Sequence, residues 1–146
     1  MQKKAVSYEY ISFIVDLLAQ RVGTDYDYII GIGRGGLIPA TMLAYKLNKK
    51  VLAFGVQTYN NQIQDTNYHL YQQPNLLPAK SKYLVVDDIC DSGNTFGIFK
   101  KLYSENKLHT FEYAALFAKD KSSHMVDYYG LSVSEGIWLT FPWENS

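Results

Sequence analysis

The chain has 146 residues, and its 14 Lys and Arg balance 14 Asp and Glu. That length suits one domain, residues 1–146, with a real core, and zero net charge gives no general affinity for nucleic acid or anionic membrane. A single cysteine, Cys90, allows no internal disulfide, and no apolar run reaches membrane-spanning or leader-peptide length, so a cytoplasmic protein without an integral membrane segment is expected.

Tyr8, Ile11, Ile14, Val15, Leu18 and Val22 recur at helical spacing, with Ser7 placed to cap a helix over 8–22. Asp27 to Ile32 is a short apolar strand ending in Gly31-Ile32-Gly33-Arg34-Gly35-Gly36. A second helix is expected over 37–48, with Pro39 tolerated in its first turn. Val51 to Thr58 forms the next strand. Residues 59–80 are crowded with Asn, Gln and Tyr and show no sustained period. A loop of that length inside a compact domain is usually functional or mobile. Tyr83 to Val86 is a buried strand, and helical spacing resumes at Phe96, Phe99, Lys100 and Tyr103. Phe111 to Ala118 is another buried strand, and extended pieces near 125–129 and 136–141 close the chain. Strands alternating with helices predict an α/β fold on a mainly parallel sheet.

The most informative stretch is YLVVDDICDSGNT, residues 83–95. A buried strand delivers Asp87 and Asp88 at its carboxyl end, then Asp91 and the small polar turn Ser92-Gly93-Asn94-Thr95 open a helix. Ligands bind at that edge of open α/β sheets. A helix N-terminus with free N–H groups and small hydroxyls holds a phosphate. Paired carboxylates beside it suit a sugar diol, usually with magnesium between. Read blandly, the same residues are a buried strand, an Asx turn and a capped helix. Cys90 lies inside this stretch with no sequence-neighbouring His, at a position that calls for an apolar filler.

GIGRGG fits the dinucleotide pattern G-x-G-x-x-G, which requires an acid about twenty residues on. Residues 51–56, VLAFGV, hold none, so that reading fails. The alternative is a glycine-rich anion loop with one guanidinium, Arg34, able to grip phosphate oxygens bidentately. Taken alone, an ordinary turn with a solvated Arg stays open. His69 and His124 lack metal-ligand spacing to a second His or Cys and read as surface residues.

The 83–95 stretch resembles the phosphoribosyl-pyrophosphate (PRPP) signature of the type I phosphoribosyltransferases at every position except Asn94, where Gly or Ala is usual. Asn tolerates left-handed backbone well, which makes the departure mild. Two later segments, FAKDKSSHMVD at 117–127 and GIWLTFPWE at 136–144, resemble the bacterial xanthine–guanine members. The resemblance implies the type I phosphoribosyltransferase fold with a small C-terminal hood, and PRPP and a purine base as substrates, with Mg2+. It implies that Asp87, Asp88, Asp91, Ser92, Gly93, Asn94 and Thr95 hold the ribose phosphate, with Asp88 the metal contact. Gly33, Arg34, Gly35 and Gly36 then hold the pyrophosphate, after a strained or cis non-proline peptide just before Arg34. Asp91 is the expected general acid/base, and Arg34 the group that stabilises departing pyrophosphate.

On the base side, Lys119 is placed to donate to the exocyclic oxygen of a 6-oxopurine, Trp138 to stack on the ring, and backbone near Leu139 to read its edge. A solvated lysine and a core tryptophan are the competing readings. Trp143 reads as packing or interface, and Glu144 replaces the usual Asp. The 59–80 loop, opening with Thr58-Tyr59 where Ser-Tyr is common, matches the family's closing loop, which excludes water from the reacting ribose. The chain stops at Ser146, where the bacterial relatives continue; a shorter C-terminus would open the base pocket or alter subunit contacts. A homo-oligomer, dimer or tetramer, is expected. The expected function is purine salvage: a 6-oxopurine (xanthine, guanine or hypoxanthine) plus PRPP gives a nucleoside 5′-monophosphate and pyrophosphate. A non-catalytic PRPP- or nucleotide-sensing regulator and a pyrimidine phosphoribosyltransferase are the alternatives.

Overall fold

The computed structural model describes residues 1–58 and 68–144. Eight strands and three helices follow in the order β1 (Gln2–Ala5), α1 (Tyr8–Val22), β2 (Tyr28–Gly33), α2 (Leu37–Leu47), β3 (Lys50–Thr58), β4 (Tyr68–Gln72), β5 (Lys82–Cys90), α3 (Asn94–Tyr103), β6 (Thr110–Lys119), β7 (Tyr128–Val133) and β8 (Ile137–Thr140). Six strands form one sheet in the order β4-β3-β2-β5-β6-β7, parallel throughout except for β4.

That order follows from burial. Strands β2 and β5 sit in the middle and read as nearly continuous apolar runs, Tyr28-Ile-Ile and Tyr83-Leu-Val-Val. Such runs belong to strands covered on both faces. One face packs Ile29, Leu84 and Val86 under Ile11, Ile14 and Leu18 of α1 and Leu43 of α2. The other packs Ile30, Phe54 and Val85 under Phe96, Ile98 and Phe99 of α3. Ser7 caps α1 as the spacing predicts, its Oγ accepting from the Tyr10 N–H at 3.1 Å. Burying such side chains contributes about 1.5–3 kcal/mol each, which outweighs the modest helix propensity of Ile and Val.

Strand order reverses between β2 and β5: the chain runs outward from β2 to β3, then returns across to β5. A crevice opens at the carboxyl ends of two strands where the order turns in this way. It lies between Gly33 and Asp87, since Gly31 of β2 pairs with Val86 of β5. The expected α/β fold on a mainly parallel sheet is therefore present. Its hood is a separate two-stranded parallel sheet, β1 with β8, in register from Gln2↔Ile137 to Ala5↔Thr140.

Three segments depart from the sequence expectation. Strand β1 is exposed along its whole length, so it carries no apolar signal and is held by its backbone alone. Strand β4 lies inside the stretch read as a loop; only Tyr68 and Leu70 pack on the core, while His69, Tyr71 and Gln72 are exposed. Residues 59–67 of that stretch, Tyr59 among them, lie outside the described residues. The extended piece expected near 125–129 begins three residues later, because Ser123–Met125 forms a 3-10 turn ahead of β7. Among the described residues, no helix is long and apolar enough to cross a membrane.

Candidate active site

The end of β5 and the loop after β2 are packed into each other. A Cβ on Gly35 would stand 2.2 Å from an Asp88 carboxylate oxygen. One on Gly36 would stand 2.7 Å from the Val86 carbonyl and 2.8 Å from the Asp87 Cα. Position 36 therefore requires glycine, a side chain at 35 would have to displace the Asp88 carboxylate, and the Gly-rich loop lies directly against the two acids. The peptide between Gly33 and Arg34 is cis, in keeping with the sequence expectation. The Arg34 side chain is exposed and, among the described residues, forms no ion pair or hydrogen bond. It lines a cavity of about 310 Å³ with Val56, Gln57 and Tyr71.

Asp87 and Asp88 crowd together at the strand end. The Asp88 N–H donates to Asp87 Oδ1 at 2.8 Å, and the Ile89 N–H donates to Asp88 Oδ1 at 2.7 Å. Burial and the neighbouring Asp88 charge push the Asp87 carboxyl well above its ordinary range. Burial pushes Asp88 up to about 6, with a smaller contribution from Glu144. Two crowded carboxylates call for a cation. Among the described residues, no three His, Cys, Asp or Glu side chains are grouped as a closed metal cage. A pair of acids next to open space fits magnesium, which takes one or two carboxylates and completes its shell with substrate oxygens and water.

Beyond the acids, the turn opens α3 as the sequence predicts, with one correction. The left-handed residue is Gly93, at φ 83°, and Asn94 starts the helix with no such conformation. The departure at Asn94 therefore makes no demand on left-handed backbone. The Asn94 N–H donates to Ser92 Oγ at 3.1 Å, and no side chain caps α3. The remaining first-turn N–H groups are thus available to an anion. Asp87 to Phe96 surround a cavity of about 210 Å³, closed on one side by Trp138. Cys90 is buried, donates to the Ser122 carbonyl at 3.4 Å, and has its thiol pushed up to about 11 by burial. It fills space as the sequence predicts.

A second, smaller cavity of about 100 Å³ adjoins the first. Asp88, Ile89, Asp91 and Trp138 line both, and Lys119, Ile137, Leu139, Phe141 and Glu144 complete the smaller one. Trp138 is 44% exposed and so is no core tryptophan. Lys119 is 3% exposed and so is no solvated lysine. Its ammonium donates to the carbonyls of Ser134 and Glu135, each at 3.3 Å, and to that of Ile137. All three protons are committed to the turn that leads into β8. Sequence reasoning placed Lys119 at the base and missed this anchoring role, which depends on residues fifteen or more positions away.

Trp143 stacks on Phe141 at 5.1 Å and meets Tyr8, so it packs the hood. Glu144 Oε1 accepts from the Phe141 N–H at 2.6 Å, closing a C-terminal turn. His69 and His124 are exposed.

The phosphoribosyl transferase domain model matches residues 7–146. The chain belongs to the type I phosphoribosyltransferases. It is 28% identical to the xanthine-guanine phosphoribosyltransferase of Idiomarina loihiensis, over 95% of this chain and 85% of that protein. With the protein of the same name from Cereibacter sphaeroides it shares 35% over 80% of this chain and 68% of that one. Its backbone superposes on a purine phosphoribosyltransferase from Pyrococcus horikoshii with a TM-score of 0.85, at 26% identity, covering 100% and 97% of the two chains.

Proposed function

We propose that this phosphoribosyltransferase transfers the 5-phosphoribosyl group of PRPP to a 6-oxopurine, giving the nucleoside 5′-monophosphate and pyrophosphate. One observation supports this reading above others. The acid-lined cavity at the start of α3 and the small cavity under β8 share Asp88, Ile89, Asp91 and Trp138. A ribose phosphate in the first and a base in the second would meet over Asp91.

The chemistry asks for charge placement and orientation more than for covalent help, because the ribose carbon carries positive charge at the transition state. Asp87 and Asp88 take the ribose hydroxyls, with Asp88 also the metal contact. Magnesium, when bound, neutralises charge on the pyrophosphate leaving group. Ser92, Gly93, Asn94, Thr95 and the open amides of α3 hold the 5′-phosphate. Gly33, Arg34, Gly35 and Gly36 hold the pyrophosphate, and the Arg34 guanidinium stabilises its departure. Asp91, exposed between the two cavities, moves the proton on the purine ring. Trp138 supplies the stacking face, and the backbone of β8 near Leu139 reads the base edge. For Lys119, donation to the purine 6-oxygen means exchanging one of the two longer carbonyl bonds for the ligand.

Pyrophosphate release, measured with magnesium, PRPP and each free base in turn, tests this. Turnover with xanthine, guanine or hypoxanthine and little with adenine or uracil is expected. Turnover with uracil alone would favour the pyrimidine reading. PRPP binding without turnover on any base would favour a sensing regulator.

A further inference from the structure

Strands β3 and β4 are out of step by one residue: Gly55 pairs with Gln72, and Val56 with Leu70. Tyr71 is the extra residue of this bulge. Bulges turn a side chain away from its regular direction and are common beside active sites. Here the turn lays the phenol ring across the neighbouring strand. A Cβ on Gly55 would stand 2.3 Å from a Tyr71 ring carbon, so the ring lies against bare backbone. The hydroxyl reaches one strand further, to 3.1 Å from where a Cβ on Gly33 would stand. Gly33 and Gly55 are direct partners in the β2–β3 ladder. Two glycines side by side on adjacent strands thus form a channel, and Tyr71 fills it from the sheet edge up to the residue before Arg34.

The rest of the Arg34 cavity has a second property. No lysine or arginine lies between Lys50 and Lys80. Among the described residues, the others at the Arg34 cavity are Val56, Gln57 and Tyr71. Tyr71 is 49% exposed, and its hydroxyl has no hydrogen-bond partner among the described residues. A pyrophosphate gripped by Arg34 here would find neutral donors on its other side.

We propose that Tyr71 is a pyrophosphate-binding residue, donating its hydroxyl proton to an oxygen of the group that Arg34 holds, with the Gln57 amide beside it. The inference rests on the pyrophosphate role of Arg34 given above. It assigns the second wall of that subsite to an uncharged hydroxyl, positioned by a bulge and two glycines. Among the described residues lining this cavity, Arg34 is then the one cation.

Tyr71→Phe keeps the ring in its channel and removes only the donor. Titration calorimetry with magnesium pyrophosphate, PRPP and GMP should show the first two weakened about tenfold, the scale of a hydrogen bond to a charged group. GMP, which lacks the pyrophosphate, should bind unchanged. Gly55→Ala, whose new methyl displaces the ring without touching ligand, should reproduce the same pattern; circular dichroism establishes that it is folded, and Tyr71→Phe alone decides if it is not. Wild-type affinity for pyrophosphate in Tyr71→Phe, or equal weakening of GMP, would overturn the assignment while leaving the transferase reading intact. A wild-type protein that binds neither PRPP nor pyrophosphate would overturn both.

Discussion

The two halves of the crevice are built in different ways. The proposed phosphate half comes from two short continuous segments, Gly33–Gly36 and Asp87–Thr95, which would use backbone, glycine and small hydroxyls. The proposed base half is assembled from Lys119 on β6, the turn at Ser134–Ile137, Trp138 on β8 and Glu144 near the C-terminus. A local site depends on a handful of neighbouring dihedrals. A site gathered from distant segments depends on the packing that brings them together. Damage on the proposed phosphate side should therefore remove function and leave the fold, whereas damage to Lys119, the buried anchor of the proposed base side, should disturb both.

The sharpest test of that contrast is Asp91→Asn. As an exposed loop residue it should leave the melting temperature unchanged, yet lower turnover about a hundredfold or more, with PRPP affinity little altered. A near wild-type rate would remove Asp91 from proton transfer. Lys119→Met should do the reverse first. It leaves three carbonyls without their donor, and a loss of about 2–4 kcal/mol in denaturant unfolding is expected. An unchanged midpoint would mean that β8 holds its place without the ammonium. Trp138→Ala removes an exposed face, so it should spare stability and weaken purine binding by about 1–3 kcal/mol. Equal losses in PRPP and purine affinity would show that Trp138 serves the ribose cavity instead.

The smallest expected effect concerns pH. Both acids at the end of β5 have folded pKa values raised above those of the unfolded chain, Asp88 to about 6. For Asp88 the folded state therefore binds more protons between about pH 4 and 6, and its contribution to stability falls as pH rises through that window. Asp88→Asn should raise the melting temperature of the ligand-free protein at pH 8 and change it little at pH 4. A lower melting temperature at pH 8 would show that the Asp88 charge is well compensated.

The same contrast explains what the sequence reveals. The strand–acid–turn–helix order of residues 83–95 is legible because every position follows its neighbour, and the sheet's central strands announce themselves as apolar runs. Strand β4 was hidden because only two of its five residues face the core, and β1 because none does. The anchoring role of Lys119 was hidden for a different reason. A lysine at a strand end looks the same whether it faces ligand, water or three carbonyls, and only the turn before β8 decides. Gly55 gave no sign of its partner either, since a bulge on one strand cannot be read from the glycine it overlies.

The hood pairs residues 2–5 with residues 137–140, and the Lys3 position lies directly opposite Trp138. Each end of the pairing is closed by a further backbone bond, from the Gln2 N–H to the Gly136 carbonyl at 3.0 Å and from the Val6 N–H to the Thr140 carbonyl at 2.9 Å. Ordering of β8 by a base in the proposed cavity should then extend to β1, although β1 lines neither cavity of the proposed site. Amide deuterium uptake across residues 2–6 should slow when a purine nucleotide is added and stay as fast with pyrophosphate alone. The first few residues of the chain would then report, by their exchange rates, which half of the crevice is filled.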